Sequence, residues 1–200
     1  MMKKKKNSAA RLAGLIAATL LAGSLIAGCG MFSKANGIIL YGEKQQVEDM
    51  LIREKNLLKD NDIYTVKLVE EKDEKRTLVL DDKTAKLLMD KKLIRQVIKG
   101  DKTEAISKLP ELTDEKGVLF AKEKKEGVET GEKVLPATYG GNVVIGDGRS
   151  YADQFLVVTE AAWDEAAGTE KTMGVLHYEK DPSKKMGTYN VEKNQLIQIR

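Results

Sequence analysis

The chain is poor in the residues that most often mark chemistry. Its 200 residues include one cysteine, one histidine and one tryptophan. A lone cysteine excludes an internal disulfide, and with a lone histidine it cannot supply the several Cys and His ligands that a zinc site usually takes. No Gly-x-Ser-x-Gly turn positions a nucleophile, so a formal Ser-His-Asp set has no elbow to stand on. Three prolines and no long Ser/Gly/Pro tract leave little of the chain suited to disorder. Aromatics at 5% give few stacking surfaces for sugars or peptides.

What is present is concentrated first at the N-terminus. Lys3, Lys4, Lys5, Lys6 and Arg11 precede a run from Leu12 to Ile26 made only of Gly, Ala, Ser, Thr, Leu and Ile. A spanning helix needs roughly 20 apolar residues, so this shorter run suits a cleaved export signal better than a permanent span. It ends in Leu25-Ile26-Ala27-Gly28-Cys29. The arrangement resembles the lipobox of bacterial lipoproteins, with Ile26 at the position most often held by Leu. That resemblance implies that signal peptidase II recognises Ile26, Ala27 and Gly28 and cuts before Cys29, whose thiol carries a diacylglyceryl group. Two palmitate-like chains, at about 0.8 kcal/mol per buried methylene, hold a soluble domain on a bilayer almost permanently. The expected organisation is therefore a signal peptide over 1–28, a short tether over 29–36 and one extracytoplasmic domain over 37–200. The expected partner at the anchor is the lipid bilayer of a cell membrane, in a Gram-positive host.

Removing the signal peptide changes the charge. The chain has 34 Lys and Arg against 31 Asp and Glu, and five of the basic residues lie in the first 28. The mature chain keeps 29 against 31, a formal −2. The basic pI thus belongs to the export signal, and no concentrated basic run points to nucleic acid. Elsewhere the signs alternate, as in residues 70–76 and 122–126, the pattern of solvated turns and faces. Seven residues between Cys29 and Gly37 reach roughly 25 Å at most, which keeps the domain near the membrane.

Periodicity predicts the elements. Gly37 to Tyr41 reads as a buried strand, and Glu43 to Leu58 as a helix with Val47, Met50, Leu51 and Leu58 inward. Ile63–Val69 and Thr77–Asp81 form a hairpin around the charged residues between them. Asp81 or Asp82 caps a helix near Lys83. Residues 93–99 are apolar at Leu93, Ile94, Val97 and Ile98 and end at Gly100, and Thr103 to Leu109 is expected to be a short helix stopped by Pro110. Strands are expected at 118–121, 143–145, 154–159, 172–179 and 196–199. A small helix over 160–167, capped by Thr159, should press Trp163 against Phe155, Val157 and Leu176. The fold class is α+β, a single domain of mainly antiparallel sheet with a few short helices.

Two motifs invite a functional reading. Gly141 and Gly146 have the Gly-x-x-x-x-Gly spacing of a phosphate loop, but Asp147 stands where a lysine is needed and Val143-Val144-Ile145 is a strand. Asp60-Asn61-Asp62 opens like a calcium loop without its later glycine and glutamate, and is expected to be a turn. His177 lies in the apparent strand 174–178, where a packed or surface imidazole is the simpler reading than a catalytic base.

Residues 154–176, an apolar strand, a capped acidic turn and a second strand, are similar to segments of the extracellular domains of FtsX-like ABC permeases. That similarity implies an accessory role beside an envelope transport system. Two of the readings that remain are a tethered, non-catalytic interaction protein, the favoured one, and a ligand-binding module associated with an envelope ABC transporter. A third is an enzyme with an unrecognised carboxylate site. The favoured reading takes no cofactor and no metal and names no catalytic residue.

Overall fold

The computed structural model describes residues 35–100, 102–130 and 133–200. Cys29 and the recognition residues Ile26, Ala27 and Gly28 lie outside them.

The chain enters through β1 (Gly37–Gly42), whose six residues are all buried. A strand covered on both faces loses its alternation and reads as a continuous apolar run, which GIILYG does. Helix α1 (Lys44–Glu54) follows, its start fixed by the Glu43 N–H donating to Gln46 Oε1 at 2.9 Å. It stops four residues earlier than the periodicity predicts, because a short 3-10 turn (Lys55–Leu57) leads into β2 (Leu58–Glu70). That strand is longer than expected and absorbs Asp60, Asn61 and Asp62, which are therefore strand residues and not a turn. They pair with His177, Leu176 and Val175 of β11 (Thr169–Tyr178). A neighbouring strand satisfied their backbone, overriding the turn preference of Asp and Asn.

Strand β3 (Arg76–Asp81) completes the expected hairpin, and α2 (Asp82–Asp90) begins where the Asp81 carboxylate accepts from Thr84 N at 2.8 Å. Then come β4 (Ile94–Lys99) and β5 (Lys102–Ala105). The helix predicted over 103–109 does not form. A seven-residue helix is marginal in water, whereas Gly100 at φ 58° allows a tight reversal that lets Thr103 and Glu104 ladder with Val97 and Gln96.

The second half gives β6 (Gly117–Phe120), β7 (Gly127–Thr130), β8 (Lys133–Gly141), β9 (Val143–Ile145), β10 (Gln154–Val158), α3 (Glu160–Glu165), β11 and β12 (Lys193–Ile197). Nine strands form one sheet in the order β12-β1-β11-β2-β3-β10-β6-β8-β7, and β5-β4-β9 form a second. Among the described residues, only β10 with β3 and β6 with β8 run parallel. The α+β class with a mainly antiparallel sheet is what the structure shows.

Burial separates the large sheet's two faces. One carries Ile39, Tyr41, Leu78, Leu80, Phe155 and Val157 against α2 and the small sheet. On the other, α1 covers Ile38, Leu40 and Leu176, and α3 covers Val79, Leu156 and Val158. Trp163 therefore packs beside Leu156 and Val158 rather than Phe155, Val157 and Leu176. Alternate residues of a strand face opposite ways, so a one-residue error in assigning the inward set exchanges the whole face.

Candidate functional site

Most polar groups withdrawn from solvent in this domain are matched within the protein. Glu54, 3% exposed, sits in the last turn of α1. It accepts from Arg53 Nε at 3.1 Å and Tyr178 Oη at 3.3 Å, and pairs with Lys185 Nζ at 2.8 Å. Burial alone would raise its pKa, but Lys185 and Arg53 together hold the carboxyl below its ordinary value. Tyr178 Oη meets Tyr189 Oη at 2.7 Å, so the cluster ties α1 to the loop after β11. Glu71, in the turn between β2 and β3, accepts from Thr77 Oγ1 at 2.8 Å and from Gln154 Nε2, with Lys125 Nζ at 3.3 Å. The Lys67 amine, under α3, donates to the carbonyls of Trp163, Asp164 and Ala166 at 2.7, 3.3 and 3.0 Å.

Two groups depart from this, the Tyr64 hydroxyl, buried without a partner, and Arg149, the one of them that borders an open hollow. Arg149 follows β9 in the segment that returns the chain to β10. One nitrogen, Nη2, donates to Asn142 Oδ1 at 2.6 Å and to Val143 O at 3.1 Å. Nε is buried and has no acceptor, and no carboxylate lies within ion-pairing distance of the guanidinium among the described residues. Burial, the largest influence on this group, draws its pKa below that of a free guanidinium, against the weaker pull of Tyr139 and Asp153.

The same side chain borders two open hollows. One, of about 260 Å³, is walled by Lys75, Lys122, Glu123, Lys125, Asp153 and Gln154, with Lys75 paired to Asp73 and Lys125 to Glu71. The other, on the small-sheet side, is walled by Lys99, Thr103, Asn142 and Asp147. Of the nearby acids, Asp153 already accepts from Arg76 N at 2.9 Å. A half-buried guanidinium held by one edge, beside exposed lysines, is equipped to take a carboxylate or phosphate through its unused donors.

The residues singled out in sequence do not assemble there, Asp147 excepted. Gly141 and Gly146 flank β9 with φ values of 110° and 65°, which glycine adopts without cost, so this segment is a strand between glycine turns as expected. Asp147 stands exposed after it. His177 is half-buried in β11, its Nε2 3.2 Å from Asn36 Nδ2, and burial, then Lys59, lower its pKa. Among the described residues no group of His, Cys, Asp and Glu is arranged to hold a metal ion, and no helix is long and apolar enough to cross a membrane. Arg149 itself gave no sequence signal. It sits in Gly148-Arg149-Ser150, and only the fold reveals that its partners are an amide and a carbonyl.

Comparisons with known proteins place the domain in a recognised group. A family model described as an uncharacterised lipoprotein family matches residues 35–200. A crystal structure described as a "Putative Lipoprotein from Bacillus anthracis" is 28% identical and superposes with a TM-score of 0.75, covering 83% of this chain and 100% of its own. No curated protein matches.

Proposed function

The chain belongs to this uncharacterised lipoprotein family, and from that premise we propose that it is a lipid-anchored protein of the extracytoplasmic face that binds rather than catalyses. Its anchor is the diacylglyceryl group on Cys29. Its binding site is the cleft around Arg149, which receives an anionic group of a ligand or of an envelope partner. One observation carries the reading: a guanidinium partly withdrawn from water, with a buried Nε lacking any acceptor, borders a hollow lined by three lysines and by Glu123 and Asp153. Buried donors are almost always satisfied, so an unsatisfied one beside a hollow points to a group the isolated chain does not supply.

The position of the cleft suits this role. Strand β2 starts beside the point where the tether enters and runs 13 residues, about 40 Å at some 3.3 Å per residue, to the turn that carries Glu71 and Lys75. The cleft adjoins that turn, at the end of β2 opposite Asn36. An envelope ABC transporter is the partner class implied by the similarity of residues 154–176, and a Gram-positive membrane the expected setting.

Two experiments test the two halves. Cys29→Ala should abolish labelling by a fatty-acid probe and block cleavage, and undiminished labelling would refute the anchor. Titration of the domain with inorganic phosphate and with succinate should shift the amide resonances of Asn142, Gly148 and Arg149. Shifts that survive Arg149→Gln would remove that residue from the site.

A further inference from the structure

The end of the domain where the tether enters has its own chemistry. Asn36 is clamped there: its carbonyl accepts from Tyr178 N at 2.7 Å, and its side chain exchanges bonds with Ile199 at 2.8 and 3.0 Å. Strand β1 leaves from this point and α1 returns to it, because Glu179 N donates to Leu57 O and Leu58 pairs with Tyr178. The last turn of α1, the 3-10 turn after it, the start of β2 and the loop after β11 thus share one surface with Asn36.

That surface is basic and partly apolar. Lys55, Lys59, Lys180 and Lys184 are exposed and lack an ion-pair partner among the described residues. The acids beside them are mostly occupied. Glu54 is held by Arg53 and Lys185, and Asp60 and Asp62 by Lys91. The Asp181 carboxylate accepts from Ser183 N at 2.9 Å but keeps its charge, so Asp181 and Glu179 are the opposing charges among these four lysines. Leu57 is 47% exposed and Ile52, in the last turn of α1, 74%. The domain as a whole has more acidic than basic residues, so this end departs from the average.

We infer that this tether-proximal face docks on an anionic bilayer, with Lys55, Lys59, Lys180 and Lys184 at the level of the lipid headgroups and Leu57 against their apolar boundary. The occupant follows from chain length and charge. Only five residues separate Cys29 from Ala35, a reach of about 20 Å, so a lipid on Cys29 keeps this end close to the membrane. Lysines near an anionic surface each add a factor of about five to binding. Docking rests on the lipoprotein reading for its geometry, but it is tested without the anchor.

The fragment 30–200 contains all three cores, and the matched lipoprotein from Bacillus anthracis spans the same domain alone, so the fragment is expected to fold. It should sediment with phosphatidylglycerol–phosphatidylcholine vesicles and not with phosphatidylcholine alone, and salt should release it. Lys55→Gln with Lys184→Gln should weaken binding about 30-fold, as two such factors multiply. Removing two charges from the opposite end, Lys72→Gln with Lys124→Gln, should leave binding unchanged. Equal loss in both pairs, equal binding to neutral vesicles, or no binding to anionic vesicles at low salt would each overturn the inference. Circular dichroism confirms that each variant is folded. Because the fragment lacks Cys29, its failure to dock would leave the anchor standing, and loss of lipid labelling in the full chain would leave docking to be judged by the vesicles.

Discussion

Lys67 and Arg149 are both drawn out of solvent in this domain, and the protein treats them differently. Lys67, 7% exposed, is enclosed by three carbonyls at the C-terminal end of α3 and by the Trp163 ring, 4.2 Å from its amine. A short helix ends there with unsatisfied carbonyls, and an ammonium supplies both the donors and a favourable charge. All of its obvious bonding capacity is spent inside the fold. Arg149 has five donors and spends one nitrogen on Asn142 and Val143, with Nε buried and idle. The first arrangement holds a helix on a sheet. The second holds a charge ready for something else. Withdrawal from water alone therefore does not identify a binding site, and the satisfaction of the withdrawn group decides between the two.

The largest effect is expected where the cation is saturated. Lys67→Met keeps much of the side chain's length but removes every donor to the three carbonyls and the contact with Trp163. Thermal or denaturant unfolding should record a loss of about 2–3 kcal/mol. An unchanged midpoint would place Lys67 in the same class as Arg149 and break the comparison.

Glu54 extends it to a buried anion that is likewise saturated. Glu54→Ala leaves Arg53 and Lys185 without their carboxylate. The cost should be about 2 kcal/mol, less than for a fully enclosed pair because these cations are 41% and 34% exposed. The pH dependence has a definite sign. With its pKa depressed in the fold, Glu54 contributes stability that is present above the unfolded value near 4.5 and is lost as pH falls through the folded one. Acid unfolding of Glu54→Gln should lack that part of the decline.

Trp163→Phe is expected to cost about 1 kcal/mol. The ring's packing on Leu156 and Val158 is largely kept, and the indole N–H donated to Val79 O at 3.3 Å is lost. Fluorescence of the native domain should report a partly shielded indole.

The sequence exposed the framework better than the site. Strands β1, β2 and β3, the Asp81 and Thr159 caps and the glycine turns around β9 follow from local chemistry, and the structure has them. Strands β4 and β5 were not assigned as strands, and β7 and β8 were missed altogether. The charged run at 122–126 and Pro136 disguise them, and Pro136 is tolerated because it lies outside the stretch that β6 pairs, Gly117 opposite Ala137 to Phe120 opposite Gly141. The helix expected over 103–109 failed because a non-local ladder outweighed a weak local preference. Neither buried cation was legible, since no local pattern distinguishes a lysine under a helix end, or an arginine beside a glycine turn, from the many solvated ones. Their partners come from segments up to 99 residues away.

The smallest effect on stability carries the most weight. Arg149→Met exchanges an unpaired, half-buried guanidinium for an apolar chain, and without added anion its unfolding free energy should lie within about 0.5 kcal/mol of wild type. Unfolding is then repeated with inorganic phosphate in large excess. A ligand present at 100 times its Kd stabilises the folded state by about 2.7 kcal/mol, and only the wild type should gain. A variant that loses 2 kcal/mol or more without anion, or one that gains as much as wild type with it, would show that Arg149 serves the fold and that the cleft is not the binding site.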